Sequence, residues 1–225
     1  MKITFYGHAC FGIEVNGTHI LVDPFITGNP LASHINIEEI KADYILVTHA
    51  HQDHVLDVDV IAKRTGATIV SNYEIYMHYT AKELKAHPLN HGGTFKAAAF
   101  SAKYVNAIHT SSFADGSYGG QPGGFVITAG EKSLYIAGDT AVTMDMKLIP
   151  MTTELTASIF PIGDNFTMGI EDAIIASDLV ACNKVIGCHF NTFPPIQIDV
   201  EDAKKQFSAK NKELNILEIG TSISI

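Results

Sequence analysis

Thr48-His49-Ala50-His51-Gln52-Asp53-His54 is the stretch on which the fold turns. It directly follows Tyr44-Ile45-Leu46-Val47, a near-continuous apolar run of the kind that forms a strand buried on both faces. The string therefore starts where such a strand's C-terminal end opens into a crevice, the usual place for ligands in α/β sheets. His49 and His51 are two residues apart and can point the same way. Asp53 and His54 follow within one tight turn. Three imidazoles and a carboxylate so close together suit a borderline divalent cation such as zinc. The bland alternative is a polar loop that happens to be rich in His, and its position after a buried strand weighs against that.

Upstream, Ile3–Tyr6, Phe11–Val15 and Thr18–Val22 form a strand meander, with Asn16-Gly17 as a two-residue hairpin turn. A short helix is expected over 37–41. Downstream, 58–64 and 73–84 are expected as helices with a short strand, 68–70, between them. Strands are expected at 95–100, 102–108, 124–128 and 133–137, and a Ser/Gly/Asp-rich loop at 111–123. The final third alternates: strand 157–161, helix 171–181, strand 184–188, helix 200–209, strand 214–218. Two β-rich stretches, each followed by strand–helix units, imply two packed sheets with helices outside. No linker or repeat divides the chain, so residues 1–225 are expected as a single domain.

The composition bounds the function. The chain has 225 residues, 46% apolar and 17% charged, which excludes disorder. Its net charge of −9, without a Lys/Arg run, argues against bulk nucleic-acid binding. A small anionic or ester substrate stays open, because a metal would supply local positive charge. The three cysteines, Cys10, Cys182 and Cys188, form no CxxC pair, which points to reduced thiols and a cytoplasmic setting. No apolar run approaches the ~18 residues of a membrane helix. Eleven His in the chain is a high count, and it directs attention to metal chemistry.

The His-X-His-X-Asp-His string resembles the signature of the metallo-β-lactamase-fold hydrolases. The resemblance implies a four-layer αββα sandwich and further residues at strand ends, and each has a match in order along the chain. His109 fits the third His of a first metal site; His91, its one rival, precedes its strand. Asp139, in Tyr135-Ile136-Ala137-Gly138-Asp139-Thr140, fits an Asp that bridges two metals. His189 fits a last His after a late strand. By resemblance, His49, His51 and His109 bind one ion, Asp53, His54 and His189 a second, and Asp139 both. Asp23 then fixes a ligand imidazole by accepting its other N–H. The implied cofactor is two divalent ions, zinc first, with manganese or iron as alternatives.

Departures narrow the resemblance. Gly138-Asp139-Thr140 differs from zinc β-lactamases, which lack the bridging Asp and are exported. His51 stands where flavodiiron oxidoreductases carry Glu. No long insertion resembles a nuclease clamp, and no helical C-terminal extension resembles glyoxalase II-type thioesterases. Gly7-His8-Ala9-Cys10-Phe11, the run 161–169 and His189-Phe190-Asn191-Thr192-Phe193 look like a subfamily of small metal-dependent hydrolases. The expected activity is hydrolysis of a small ester-type compound, a phosphodiester or a lactone. A non-catalytic metal- or ligand-binding member of the fold and an iron oxidoreductase are the competing classes. Around the centre, Asp53 and Asp139 are the expected catalytic acids. His8 is expected to donate a proton, to bind substrate or to support a turn. Asp164 and Asn165 either border the mouth or cap a helix, and Asn191 could touch substrate. A homo-oligomer is compatible with the sequence.

Overall fold

A computed structural model describes residues 1–225. The chain forms two seven-stranded sheets. The first sheet holds β1 (Lys2–Gly7), β2 (Cys10–Val15), β3 (Thr18–Val22), β4 (Tyr44–Leu46), β5 (Thr68–Asn72), β6 (Ala86–Leu89) and β14 (Ser222–Ser224). The second holds β7 (Thr94–Lys96), β8 (Ser101–Asn106), β9 (Gly123–Ala129), β10 (Lys132–Ile136), β11 (Ala157–Pro161), β12 (Lys184–Cys188) and β13 (Glu213–Asn215). Each sheet is antiparallel in one half and parallel in the other: β3–β4–β5–β6 run parallel in the first, and β10–β11–β12–β13 in the second.

Side-chain alternation along the strands makes the layers. In β3, Ile20 and Val22 face the second sheet, as Phe11 of β2 does, and share one core with its Phe125, Leu134 and Ile159. Leu21 points the other way, against Ile61 and Ile75 of α2 (Val58–Thr65) and α3 (Tyr73–Thr80). In β10, Leu134 and Ile136 face the first sheet, while Tyr135 packs outward with Ala173 and Phe207 of α4 (Ile170–Leu179) and α5 (Val200–Ser208). The result is the αββα sandwich.

Several expected elements differ in extent. The 37–41 helix is a single 3₁₀ turn, Ile37–Glu39, and the 73–84 helix stops at Thr80. The expected strand at 95–100 is only Thr94–Lys96. β6 was not foreseen, because Pro88 interrupts it; it lies at the sheet edge, where a missing N–H costs no ladder bond. No helix is long and apolar enough to cross a membrane.

Candidate metal centre

Six strands end at one edge of the sandwich and hand over the site. His8 follows β1, Asp23 follows β3, the His49–His54 string follows β4, His109 follows β8, Asp139 follows β10 and His189 follows β12. A four-residue helix, α1 (Gln52–Val55), carries Asp53 and His54. His8, Asp23 and His189 have φ of +55°, +45° and +54°, the sparsely populated left-handed region. Neighbours hold them there: the His189 N–H donates to the His8 carbonyl at 2.8 Å, and the Asp23 N–H to the Leu46 carbonyl at 3.1 Å. Gly138 is required before Asp139. Its φ is +65°, and a Cβ there would come within 2.9 Å of the Thr48 Cβ.

Two groups of side chains converge. His49, His51 and His109 bring one ligand atom each within 4.8 Å of one another, and so do His8, Asp53, His54 and His189. Asp139 lies between them. Its Oδ2 is 3.9 Å from His49 Nε2 and 3.6 Å from His109 Nε2 on one side. On the other side it is 3.3 Å from His54 Nε2 and 3.0 Å from His189 Nε2. His91 is elsewhere, with its Nε2 2.9 Å from the Pro122 carbonyl.

An outer ring of hydrogen bonds sets which nitrogen faces inward. His54 Nδ1 donates to Asp23 Oδ2 at 2.8 Å, leaving Nε2 for the centre. Asp23 also accepts from the Thr48 N–H at 2.8 Å and from Thr48 Oγ1 at 2.6 Å. Thr48 Oγ1 in turn accepts from His49 Nδ1 at 3.0 Å, so one carboxylate orients two imidazoles. Thr48 lay unnoticed in the sequence beside the His it serves. Two more residues gain a role only in the structure. Tyr104 donates its hydroxyl to the Thr48 carbonyl at 2.8 Å, and Ser111 Oγ accepts the Ala50 N–H at 3.1 Å. Nothing local in the sequence marks either contact, since both join segments some fifty residues or more apart.

His8 departs from the expectation of a proton donor at the rim. It is buried, with Nε2 3.0 Å from Asp53 Oδ2 and Nδ1 3.0 Å from Thr192 Oγ1. Since a carboxylate only accepts, Nε2 carries the proton and Nδ1 accepts from Thr192. Burial pushes its pKa down to about 4 despite the Asp53 bond, so the ring is neutral near pH 7. Both nitrogens are thus committed to holding neighbours in place.

Asp164 and Asn165 are exposed on the loop after β11, and Thr140 ties that loop to the centre by accepting the Met168 N–H at 3.0 Å. They do not cap α4, whose N-cap residue is Gly169. Asn191 is half-buried, and its Oδ1 accepts the Ile198 N–H at 2.8 Å, which folds its own loop.

The charge balance calls for a cation. Burial alone would lower His54, but Asp139 and Asp23 hold it well above the ordinary range. Burial likewise opposes protonation of His189, and Asp139 with Asp53 raises it to about 9. Burial would raise Asp139 and Asp53. The surrounding imidazoles override this and keep both carboxylates ionised. His49 is pushed far down by burial and by His54. Without metal, protons on His54 and His189 offset the carboxylates. His189 Nδ1 and Asp139 Oδ1 are buried without a hydrogen-bond partner, while His54 Nε2 and His189 Nε2 both turn to the one Asp139 Oδ2, at 3.3 and 3.0 Å. Such orphans cost ~1–3 kcal/mol each. Inward-facing imidazoles and carboxylates of this kind fit divalent cations well.

An αββα sandwich with these ligand groups at the shared edge of its sheets has the architecture of the metallo-β-lactamase superfamily. The family model for the beta-lactamase superfamily domain matches residues 2–189. A UPF0173 metal-dependent hydrolase of Christiangramia forsetii is 62% identical over 226 residues, covering 100% of both chains. Another, of Methylacidiphilum infernorum, is 43% identical over 224 residues and covers 99% of each. The structure of Igni18, a novel metallo hydrolase from Ignicoccus hospitalis, superposes with a TM-score of 0.90 at 35% identity, covering 99% of this chain and 97% of that one. The chain belongs to the UPF0173 metal-dependent hydrolase family of this superfamily.

Proposed function

We propose that the chain uses a dinuclear divalent centre, zinc most readily, to direct water onto a small ester-type substrate. The observation that carries this reading is the Asp139 carboxylate, which lies within 4 Å of two imidazoles from each ligand group. His49, His51 and His109 would hold one ion, Asp53, His54 and His189 the other, and Asp139 would touch both. When bound, the ions supply a water of lowered pKa and positive charge on the bond under attack. The remaining work falls to the chain. Asp23 and Thr48 keep His49 and His54 in the tautomer that presents Nε2. His8 aims Asp53 through its Nε2–H and takes no proton itself at neutral pH. Asp139 fixes the separation of the two groups and, buried and ionised between them, would be the base that takes a proton there.

Reconstitution with zinc, manganese or iron, followed by elemental analysis, tests the centre. Wild-type protein should hold two ions per chain. Asp139→Ala should weaken both, whereas His8→Ala should weaken one by about 10–100-fold and leave the other in place. At most one ion per chain for every metal would refute the dinuclear centre. An Asp139→Ala variant that keeps both ions and near-normal turnover would refute the bridge.

A further inference from the structure

In the loops framing the centre, the stretches nearest the ligands contain no Lys or Arg, and Lys41 and Lys147 lie farther along two of them. Those stretches are residues 23–36, 47–57, 106–122, 137–146, 162–169 and 189–199, and they carry eight Asp. The helices that start at this edge offer no anion site either. The first turns of α2, α3, α4 and α5 hold Asp59, Glu74, Glu171 with Asp172, and Glu201 with Asp202. Beyond the metal ions, recognition of a phosphoryl group relies on an Arg fork, a Lys or a free helix N-terminus. This mouth provides none of them. Its exposed side chains include three apolar ones, Ile108, Tyr118 and Phe166, each more than half exposed.

Beside the centre is a cavity of about 450 Å³. Its apolar walls are Phe5, Leu31, Phe190, Ile216, Leu217 and Ile219, and its charged member is Glu218. His8 and Thr192 also line it. These two are hydrogen-bonded to each other, and the other His8 nitrogen holds Asp53. The cavity is therefore one imidazole away from a proposed metal ligand. His34, 3.3 Å from the Ile219 carbonyl, braces the segment that closes it.

We propose that the substrate is an uncharged carboxylic ester or lactone whose apolar group lies in this cavity, an inference that rests on the hydrolase reading above. In the reaction the acyl C–O bond breaks and the oxygen of water joins the acyl carbon. One proton of that water goes to the leaving alkoxide, giving an alcohol and a carboxylic acid. Beyond the ions, the mouth offers an approaching anion carboxylates and no side-chain cation, so it favours a neutral molecule. The apolar cavity then favours a chain or ring over a charged headgroup.

Metal-reconstituted protein should be assayed with 4-nitrophenyl esters from acetate to octanoate, with alkyl-substituted lactones, and with alkyl 4-nitrophenyl phosphodiesters of matched chain length. For the esters kcat/KM should rise about two- to fourfold per methylene until the cavity is full. At equal chain length KM should be at least about tenfold higher for the phosphodiester, on the scale of a desolvated charge left unpaired. Leu31→Lys, which places a cation at the half-exposed wall, should flatten the chain-length series and narrow the KM gap. Phosphodiesters with the lower KM, or esters with no chain-length dependence, would overturn the substrate class while leaving the hydrolase reading intact. Fully loaded protein that cleaves neither series would overturn the hydrolase reading. The cavity is then judged by binding of 2-octanone, observed through the methyl NMR signals of Leu31, Leu217 and Ile219. Shifts confined to these signals support the apolar subsite, and their absence overturns it.

Discussion

Asp23→Asn tests how the chain prepares its ligands, because Asn is nearly isosteric with Asp and lacks only its charge and one acceptor. Asp23 accepts three hydrogen bonds, from the Thr48 N–H, Thr48 Oγ1 and His54 Nδ1. Asn offers one acceptor oxygen and an NH₂ that only donates. If the NH₂ faces the Thr48 N–H, two donors meet, and a buried N–H is orphaned at ~1–3 kcal/mol. If it faces His54, the imidazole must move its proton to Nε2, the nitrogen turned toward Asp139, and that nitrogen can no longer bind metal. The variant therefore loses stability, metal affinity or both. Loss of such an outer carboxylate typically costs 10–100-fold in affinity, or ~1.4–2.7 kcal/mol. Competition against a chromogenic chelator measures the affinity, and denaturant unfolding of metal-free protein measures the stability. Thr48→Val, which cuts only the relay to His49, should give a smaller affinity loss. An Asp23→Asn protein within twofold of wild type in affinity and unchanged in unfolding midpoint would refute this account.

Chelation should abolish activity yet leave most far-UV circular dichroism, because the core between the sheets is built from apolar side chains, none of them in a ligand group; global unfolding on chelation would contradict this. Loading metal at pH 8 should release about two protons, since His54 and His189 hold theirs in the metal-free protein; calorimetry in buffers of different ionisation enthalpy counts them. The metal-free protein should be most stable near pH 6.5. His54 and His189 have raised values, so their contribution is complete below the ordinary 6.5 and fades at higher pH, for His189 through about 9. His8, His49, His51 and His109 have lowered values, so stability also falls as pH drops below 6.5, for His8 down to about 4. A Tm–pH profile flat from 5 to 9 would contradict both arms.

The string 49–54 was legible because its spacing is local, and one buried strand fixes its direction. His109, Asp139 and His189 were legible as polar residues directly after apolar runs, a pattern that parallel strands ending at a common edge produce. The helices facing that edge were found, with ends shifted by a few residues. Long-range partners were not legible. Thr48 reads as the last residue of a strand, and its hydroxyl gains meaning only when Asp23, 25 residues earlier, lies opposite it. His8 could be read as a proton donor because the sequence does not reveal that Asp53 and Thr192 occupy both its nitrogens. Edge strands were lost for a related reason. β6 and β14 have little apolar alternation of their own and form by pairing with a neighbour already in place.

Neither proposed ion would belong to a single sheet. His49 and His51 come from the first sheet and His109 from the second, while Asp53 and His54 come from the first and His189 from the second. Asp139 adds a further ligand from the second sheet, so each ion would tie the two sheets together at the edge where no apolar core reaches. The sandwich needs no metal to form, since its core is closed by Phe11, Phe125, Leu134 and Ile159. Opening that edge must nevertheless release the ions. Metal should therefore raise Tm by mass action without changing secondary structure, adding about 2.7 kcal/mol of stability per ion when free metal is a hundredfold above Kd. His109→Ala and His189→Ala should each remove part of that gain, because each deletes the second sheet's own imidazole from one ion. A variant lacking both that is still stabilised by metal as strongly as wild type would show that the ions are held by the first sheet alone, and the cross-sheet assignment would have to be abandoned.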